Sequence, residues 1–136
     1  MGRAGHGADV ALPAVVLTHL VIAVVHGRAH TGAQVPLPLT GRLFVYIVIL
    51  AGPLVGLGVS RWWSRPGAWI VAACMSGALV FGLVNHFILD GPDHLAHIPA
   101  EWRPLFGVTA ALLVISEAAG AAVGVWAATR SAGRTS

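Results

Sequence analysis

A short polar stretch between two apolar segments carries many of the side chains in this chain that are able to do chemistry. Residues 85–101 contain three of the seven histidines and three of the five carboxylates, although only 10% of the residues are charged. Imidazole and carboxylate groups are common ligands of zinc, copper and iron ions in proteins. The stretch therefore predicts half of a metal site or proton site at the edge of a membrane.

The other half is expected from the first apolar segment, where His19, His26 and His30 are spaced by seven and four residues. At 3.6 residues per turn these three side chains lie on one side of a helix. His26 and His30 are able to bind a single ion if the helix continues past Gly27. The alternative is that histidines at a membrane edge only reach water with their polar tips.

Within the polar stretch, His94 and His97 are three residues apart, and Asp93 is expected to cap the helical turn that contains them. A pair of histidines from the first helix and a pair from this loop supply the four ligands of a closed metal site. The preferred ligands are therefore His26, His30, His94 and His97. The residues expected to alternate as ligands, or to orient the imidazoles through hydrogen bonds, are His86, Asp90 and Asp93.

Glu117 is the only acid deep inside an apolar segment, and His19 lies at a similar depth in the first one. Ionisable groups in lipid are costly and pair with one another. The sequence therefore predicts a contact between His19 and Glu117. This pair either holds two helices together or acts as a relay for protons or cations between the metal site and the other side of the membrane.

The composition predicts the fold that must position these groups. The chain is 57% hydrophobic and its mean hydropathy is +0.81, and a spanning helix needs about 20 mostly apolar residues. We predict an all-α, polytopic membrane protein, a four-transmembrane-helix up-down bundle formed by one domain, residues 1–136. The predicted spans are 10–27, 43–60, 68–89 and 105–128, with a histidine-rich loop at 90–101.

The charges are typical of a membrane protein rather than of one that binds nucleic acid. The net charge is +3, but the basic residues are all arginines and form no continuous basic face. Cys74 is the only cysteine, which excludes a disulfide within the chain and a CxxC centre. Five arginines flank the edge with the termini and three flank the other, so the positive-inside rule predicts cytoplasmic termini in a plasma or bacterial inner membrane. The five are Arg3, Arg61, Arg65, Arg130 and Arg134, and the three are Arg28, Arg42 and Arg103.

Small residues recur at helix-packing distances in the second and fourth spans. Gly52 and Gly56 form a GxxxG pattern, and Gly120 and Gly124 belong to a stripe of small residues in the fourth span. Such patterns allow two helices to approach closely. They are suited to contacts within the bundle, to a homo-oligomer, or to a larger membrane complex.

Three functions fit these features. The first is a small membrane protein that binds zinc, copper or iron at an extracytoplasmic site, for metal handling or transport. The second is a b-type haem protein for electron transfer, with His26 or His19 paired with His86 across the iron. The third is a non-catalytic accessory subunit of a larger membrane complex. An enzyme is the least favoured class, since only a metal-activated water at the loop offers a plausible catalyst.

Overall fold

The computed structural model describes residues 3–132 and confirms the predicted all-α bundle. Within these residues there is no strand, and four helices are long and apolar enough to cross a membrane. Arg134 and the side chain of Arg3, both included in the charge count above, lie outside the described part. The four helices are α1 (Arg3–Gly32), α2 (Leu39–Ser60), α3 (Ser64–Ile88) and α4 (Arg103–Ala132).

The first helix is longer than the predicted span because it continues through Gly27 to Gly32. A continuous helix satisfies its own backbone groups, which is required wherever the chain is surrounded by lipid. The helix ends where Gln34 adopts a left-handed conformation (φ 54°) and Val35 N–H donates to the His30 carbonyl. His26 and His30 therefore lie on consecutive turns of one helix.

Two of the helices contain wider, π-helical turns. In α2 the π-helical stretch is Val45–Ala51, which ends two residues before Pro53. In α3 it is Val84–Ile88, which contains His86. Such turns are frequent at functional sites, and here both lie beside the same cavity.

Close packing of α2 and α4 against α3 depends on glycines. A Cβ atom at Gly56 would lie 2.8 Å from Val71 Cγ2, and a Cβ atom at Gly124 would lie 2.8 Å from the Ala72 nitrogen. Both distances are too short for a side chain to be added without separating the helices. The glycine patterns therefore mediate contacts within this bundle, which is one of the uses that the sequence allows.

Replacing Gly56 with alanine is expected to destabilise the protein by about 1–3 kcal/mol, the usual cost of overpacking a tight contact. Gly58 lies in the same helix with open space around its Cβ position. Gly58→Ala is the matched control and should be neutral or stabilising by up to about 1 kcal/mol. Thermal unfolding in detergent measures both variants, and equal midpoints would contradict this account of the α2–α3 contact.

The bundle has two buried apolar clusters with a polar region between them. One cluster, near the edge with the chain termini, contains Val16, Val71 and Met75, with Gly120 packed directly on Met75. The other, at the opposite edge, contains Ile98 and Phe106. Because α1 packs mainly on α4 while α2 packs on α3, α1 and the first half of α2 make few contacts, and a cavity lies between them.

Candidate metal centre

Three histidines from two helices converge beside this cavity. His26 and His30 come from α1, and His86 comes from the π-helical turn of α3. Each offers one ring nitrogen, and these three nitrogens lie within 4.8 Å of one another. We call this group the three-histidine site.

Hydrogen bonds at the back of two rings determine where their protons are. His26 Nδ1 lies 2.8 Å from Thr109 Oγ1, whose own proton is donated to the Leu105 carbonyl at 2.7 Å. The hydroxyl oxygen therefore accepts, and His26 Nδ1–H donates. His86 Nδ1 faces two acceptors of Asp93, the carbonyl oxygen at 3.2 Å and Oδ2 at 3.4 Å. Neutral His26 and neutral His86 therefore both carry their free lone pair on Nε2.

These two lone pairs are close to each other, since His26 Nε2 and His86 Nε2 are 3.2 Å apart. Two acceptors this close repel unless a cation lies between them. Two nitrogens on a tetrahedral ion, each bound at 2.0–2.1 Å, are separated by about 3.3 Å. The distance between the two Nε2 atoms therefore fits a shared metal ion.

The third histidine has an unused nitrogen in the same place. His30 Nε2 lies 3.3 Å from Asp93 Oδ1, and His30 Nδ1 is buried without a hydrogen-bond partner. A buried nitrogen of this kind is costly unless something binds it. A metal ion between His26 and His86 would gain His30 as its third ligand, since one ring nitrogen of His30 lies within 4.8 Å of theirs.

The carboxylate of Asp93 lies close to two of the three rings. It is 7% exposed, and its two carboxylate oxygens face His30 and His86. Burial by itself raises the pKa of the Asp93 carboxyl, but the His86 ring and the two other imidazoles lower that pKa below its ordinary value. Asp93 is therefore ionised at neutral pH, as expected for a carboxylate that orients metal-binding imidazoles.

Two residues that sequence reasoning missed complete the surroundings. Phe106 is fully buried, and its ring centroid lies 4.7–5.1 Å from those of His26, His30 and His86. Thr109 accepts the hydrogen bond from His26 described above. A threonine in a membrane helix usually donates a hydrogen bond to its own helix backbone, as Thr109 also does. The presence of a threonine at this position therefore did not indicate that it also contacts His26.

The other predicted ligands form a separate, more exposed group in the loop. His97 Nε2 lies 3.2 Å from Asp90 Oδ1, and Asp90 is 88% exposed. His97 Nδ1–H donates to the Gly91 carbonyl, and His94 Nδ1 accepts from Ala96 N–H. The turn is a 3₁₀ helix, Leu95–His97, and its cap is His94 rather than the predicted Asp93. Asp93 instead turns inward to the three-histidine site.

A cavity of about 590 Å³ extends from the three-histidine site into the bundle between α1 and α2. Its exposed rim includes Arg42 and Tyr46, and its inner wall includes Ile49, Leu113 and Glu117. Gly82 lies between the histidines at one end of this cavity and Glu117 at the other. A Cβ atom there would be 3.8 Å from Glu117 Oε2 and 4.0 Å from His86 Cδ2. The three-histidine site and Glu117 thus border one continuous space.

His19 and Glu117 lie side by side at the inner end of this space. His19 Nδ1 and Glu117 Oε1 are 3.9 Å apart, and the two residues are 1% and 2% exposed. Pro53 has no N–H to donate to the Ile49 carbonyl four residues earlier. His19 Nε2–H donates to that carbonyl at 3.2 Å.

The arrangement of the rings does not fit a haem between His26 and His86. Two axial nitrogens are about 4 Å apart, twice the length of a metal–imidazole bond, whereas these two Nε2 atoms are 3.2 Å apart. The ring centroids are separated by only 4.9 Å, which leaves no space for a macrocycle. His19, the other candidate, is bonded to Ile49.

Comparison with known proteins supplies no family for this chain. No protein-family model matches it, and no curated protein or solved structure matches it significantly.

Proposed function

We propose that this protein binds a divalent first-row transition metal, zinc, copper or iron, within its membrane bundle and takes part in handling or transporting that metal. The ligands are His26, His30 and His86, with Asp93 and Thr109 orienting the rings. Three histidine ligands leave the fourth coordination position of the metal open to water. Such an open position is suited to a metal that must enter and leave the site.

One observation carries this proposal, namely the 3.2 Å distance between His26 Nε2 and His86 Nε2, the two nitrogens left free by the hydrogen bonds of the rings. The hydrogen bonds of Thr109 and Asp93 hold both rings in this orientation. A proton shared between the rings would also relieve the repulsion. The buried, unpaired His30 Nδ1 favours a metal, because a proton between two nitrogens leaves the third without a partner.

The cavity supports the second part of the proposal, which concerns how a cation or proton moves away from the three-histidine site. Glu117 and His19 act as an intramembrane relay that exchanges a cation or proton with the three-histidine site. The support is that Glu117 and all three histidines line one space, with Gly82 as a small residue between them.

We further propose that the chain termini are cytoplasmic and the three-histidine site is near the extracytoplasmic edge, since arginines are more numerous beside the termini. The more exposed loop group of His94, His97 and Asp90 would then meet the metal first. Carboxylate and imidazole groups at an entrance raise the local concentration of cations.

Titration of the detergent-purified protein with zinc, followed by elemental analysis, tests the metal proposal. We expect at least one equivalent per chain to remain bound after gel filtration. A protein that binds no zinc, copper or iron would contradict the proposal and favour the accessory-subunit hypothesis.

Replacing Asp93 with asparagine is expected to weaken zinc binding by about 10- to 100-fold, the usual effect of losing a group that orients metal-binding imidazoles. Asp90→Asn is the matched control, since Asp90 contacts only the exposed His97 among the ion pairs described. Competition with a chromophoric chelator measures both affinities. If Asp90→Asn weakened binding as much as Asp93→Asn, the metal would have to be placed in the loop.

A further inference from the structure

His19 presents a buried lone pair toward Glu117. Its Nε2–H donates to the Ile49 carbonyl, so in the neutral ring Nδ1 carries no proton. Nδ1 is buried and has no hydrogen-bond partner among the described residues. The orientation of the ring is fixed by the carbonyl beside Pro53, so the lone pair cannot simply rotate away.

Glu117 adds two more acceptors in the same place. Its Oε1 is 3.9 Å from His19 Nδ1, and its Oε2 is buried at the end of the cavity without a hydrogen-bond partner. A carboxylate and an imidazole lone pair that face each other in a membrane interior need a cation between them.

The space around the two groups is large enough for a cation. A proton shared directly requires donor and acceptor to approach to about 2.7–3.2 Å. Two ligand atoms on one tetrahedral metal ion are about 3.3 Å apart. The 3.9 Å separation is longer than both distances, and the cavity beside Glu117 Oε2 has room for the water ligands that a metal ion would add.

We infer that His19 and Glu117 form a second binding site for the same divalent metal, which an ion reaches from the three-histidine site by passing Gly82. We call this pair the inner site. The inference rests on the proposed function, since it assigns the relay to the metal itself. With two protein ligands instead of three, the inner site binds more weakly and holds the ion only in transit.

Titration of the full chain in detergent with Co²⁺, whose visible absorption reports its ligands, tests the inference. The wild type is expected to bind two equivalents, one tight and one weak. Glu117→Gln should bind only the tight one, because the amide carries no charge and its N–H satisfies His19 Nδ1. Glu101→Gln, which removes an exposed carboxylate outside the membrane, should still bind two. His86→Ala should lose the tight equivalent and keep the weak one.

If the wild type bound only one equivalent and Glu117→Gln bound the same amount, the inner site would be contradicted. The three-histidine site would be unaffected by this result. The proposed function fails separately, if His86→Ala leaves the tight equivalent unchanged. His19→Gln, which keeps an N–H for the Ile49 carbonyl, is the second variant if Glu117→Gln does not fold. It should lose the weak equivalent, and its retention would overturn the inference.

Discussion

A His86→Ala variant is expected to lose tight zinc binding, with an affinity reduced by more than about 100-fold. The change removes one of the three ligands and leaves His26 Nε2 without the group that it faces at 3.2 Å. Loss of a group that only orients a ligand already costs about 10- to 100-fold, so loss of the ligand itself should exceed that range. Chelator competition on the purified protein measures the change.

The control is the double variant His94→Ala/His97→Ala, which removes two histidines of the exposed loop and should bind zinc as the wild type does. His86→Gln serves as a second ligand variant, because its amide can still donate to Asp93 and preserves the loop contact. Thermal midpoints close to that of the wild type would show that the helices remain assembled. Loss of binding in the double variant alone would mean that the loop holds the metal.

If the protein transports metal as proposed, a Gly82→Leu variant is expected to slow the passage of metal while leaving zinc binding at the three-histidine site intact. The leucine side chain would fill the space between His86 and Glu117, where a Cβ atom already has both within 4.0 Å. We expect zinc uptake into reconstituted vesicles, followed with an enclosed fluorescent indicator, to fall by more than about tenfold, a barrier increase of about 1.4 kcal/mol.

Gly82→Ala provides the matched control, since a methyl group at this position makes only ordinary van der Waals contacts. Its uptake should remain near that of the wild type. Equal uptake by the leucine and wild-type proteins would exclude the path beside Gly82. A wild type that binds zinc but shows no uptake would argue against transport and limit the function to metal handling.

The four helices were predictable from the sequence because the length of an apolar segment is a property of the chain itself. Helix ends were harder to predict. Gly27 suggested an early end to α1, but a helix at the membrane edge continues to satisfy its own backbone. The third span was predicted to begin at residue 68, whereas α3 begins at Ser64 and includes Pro66, because proline is tolerated in the first turn of a helix.

Prediction of the site was limited by what spacing can convey. The i, i+4 relation of His26 and His30 places both rings on one helix face, and the structure places them in one cluster. Spacing does not determine which loop residues turn toward that face. Four residues offer metal-binding groups, namely His86, Asp93, His94 and His97. Two features of the fold determine which of them contact α1: the π-helical turn of α3 and the inward position of Asp93.

The apolar cluster of Val16, Val71 and Met75 has a consequence for how any ion could cross. It fills the bundle between Glu117 and the edge with the chain termini, and Gly120 packs directly on Met75. If the protein transports metal as proposed, this arrangement fits a carrier better than a channel. Each ion would require one cycle of helix movement, on the microsecond-to-millisecond scale of such motions or slower, so the rate of transfer would saturate as the metal concentration rises.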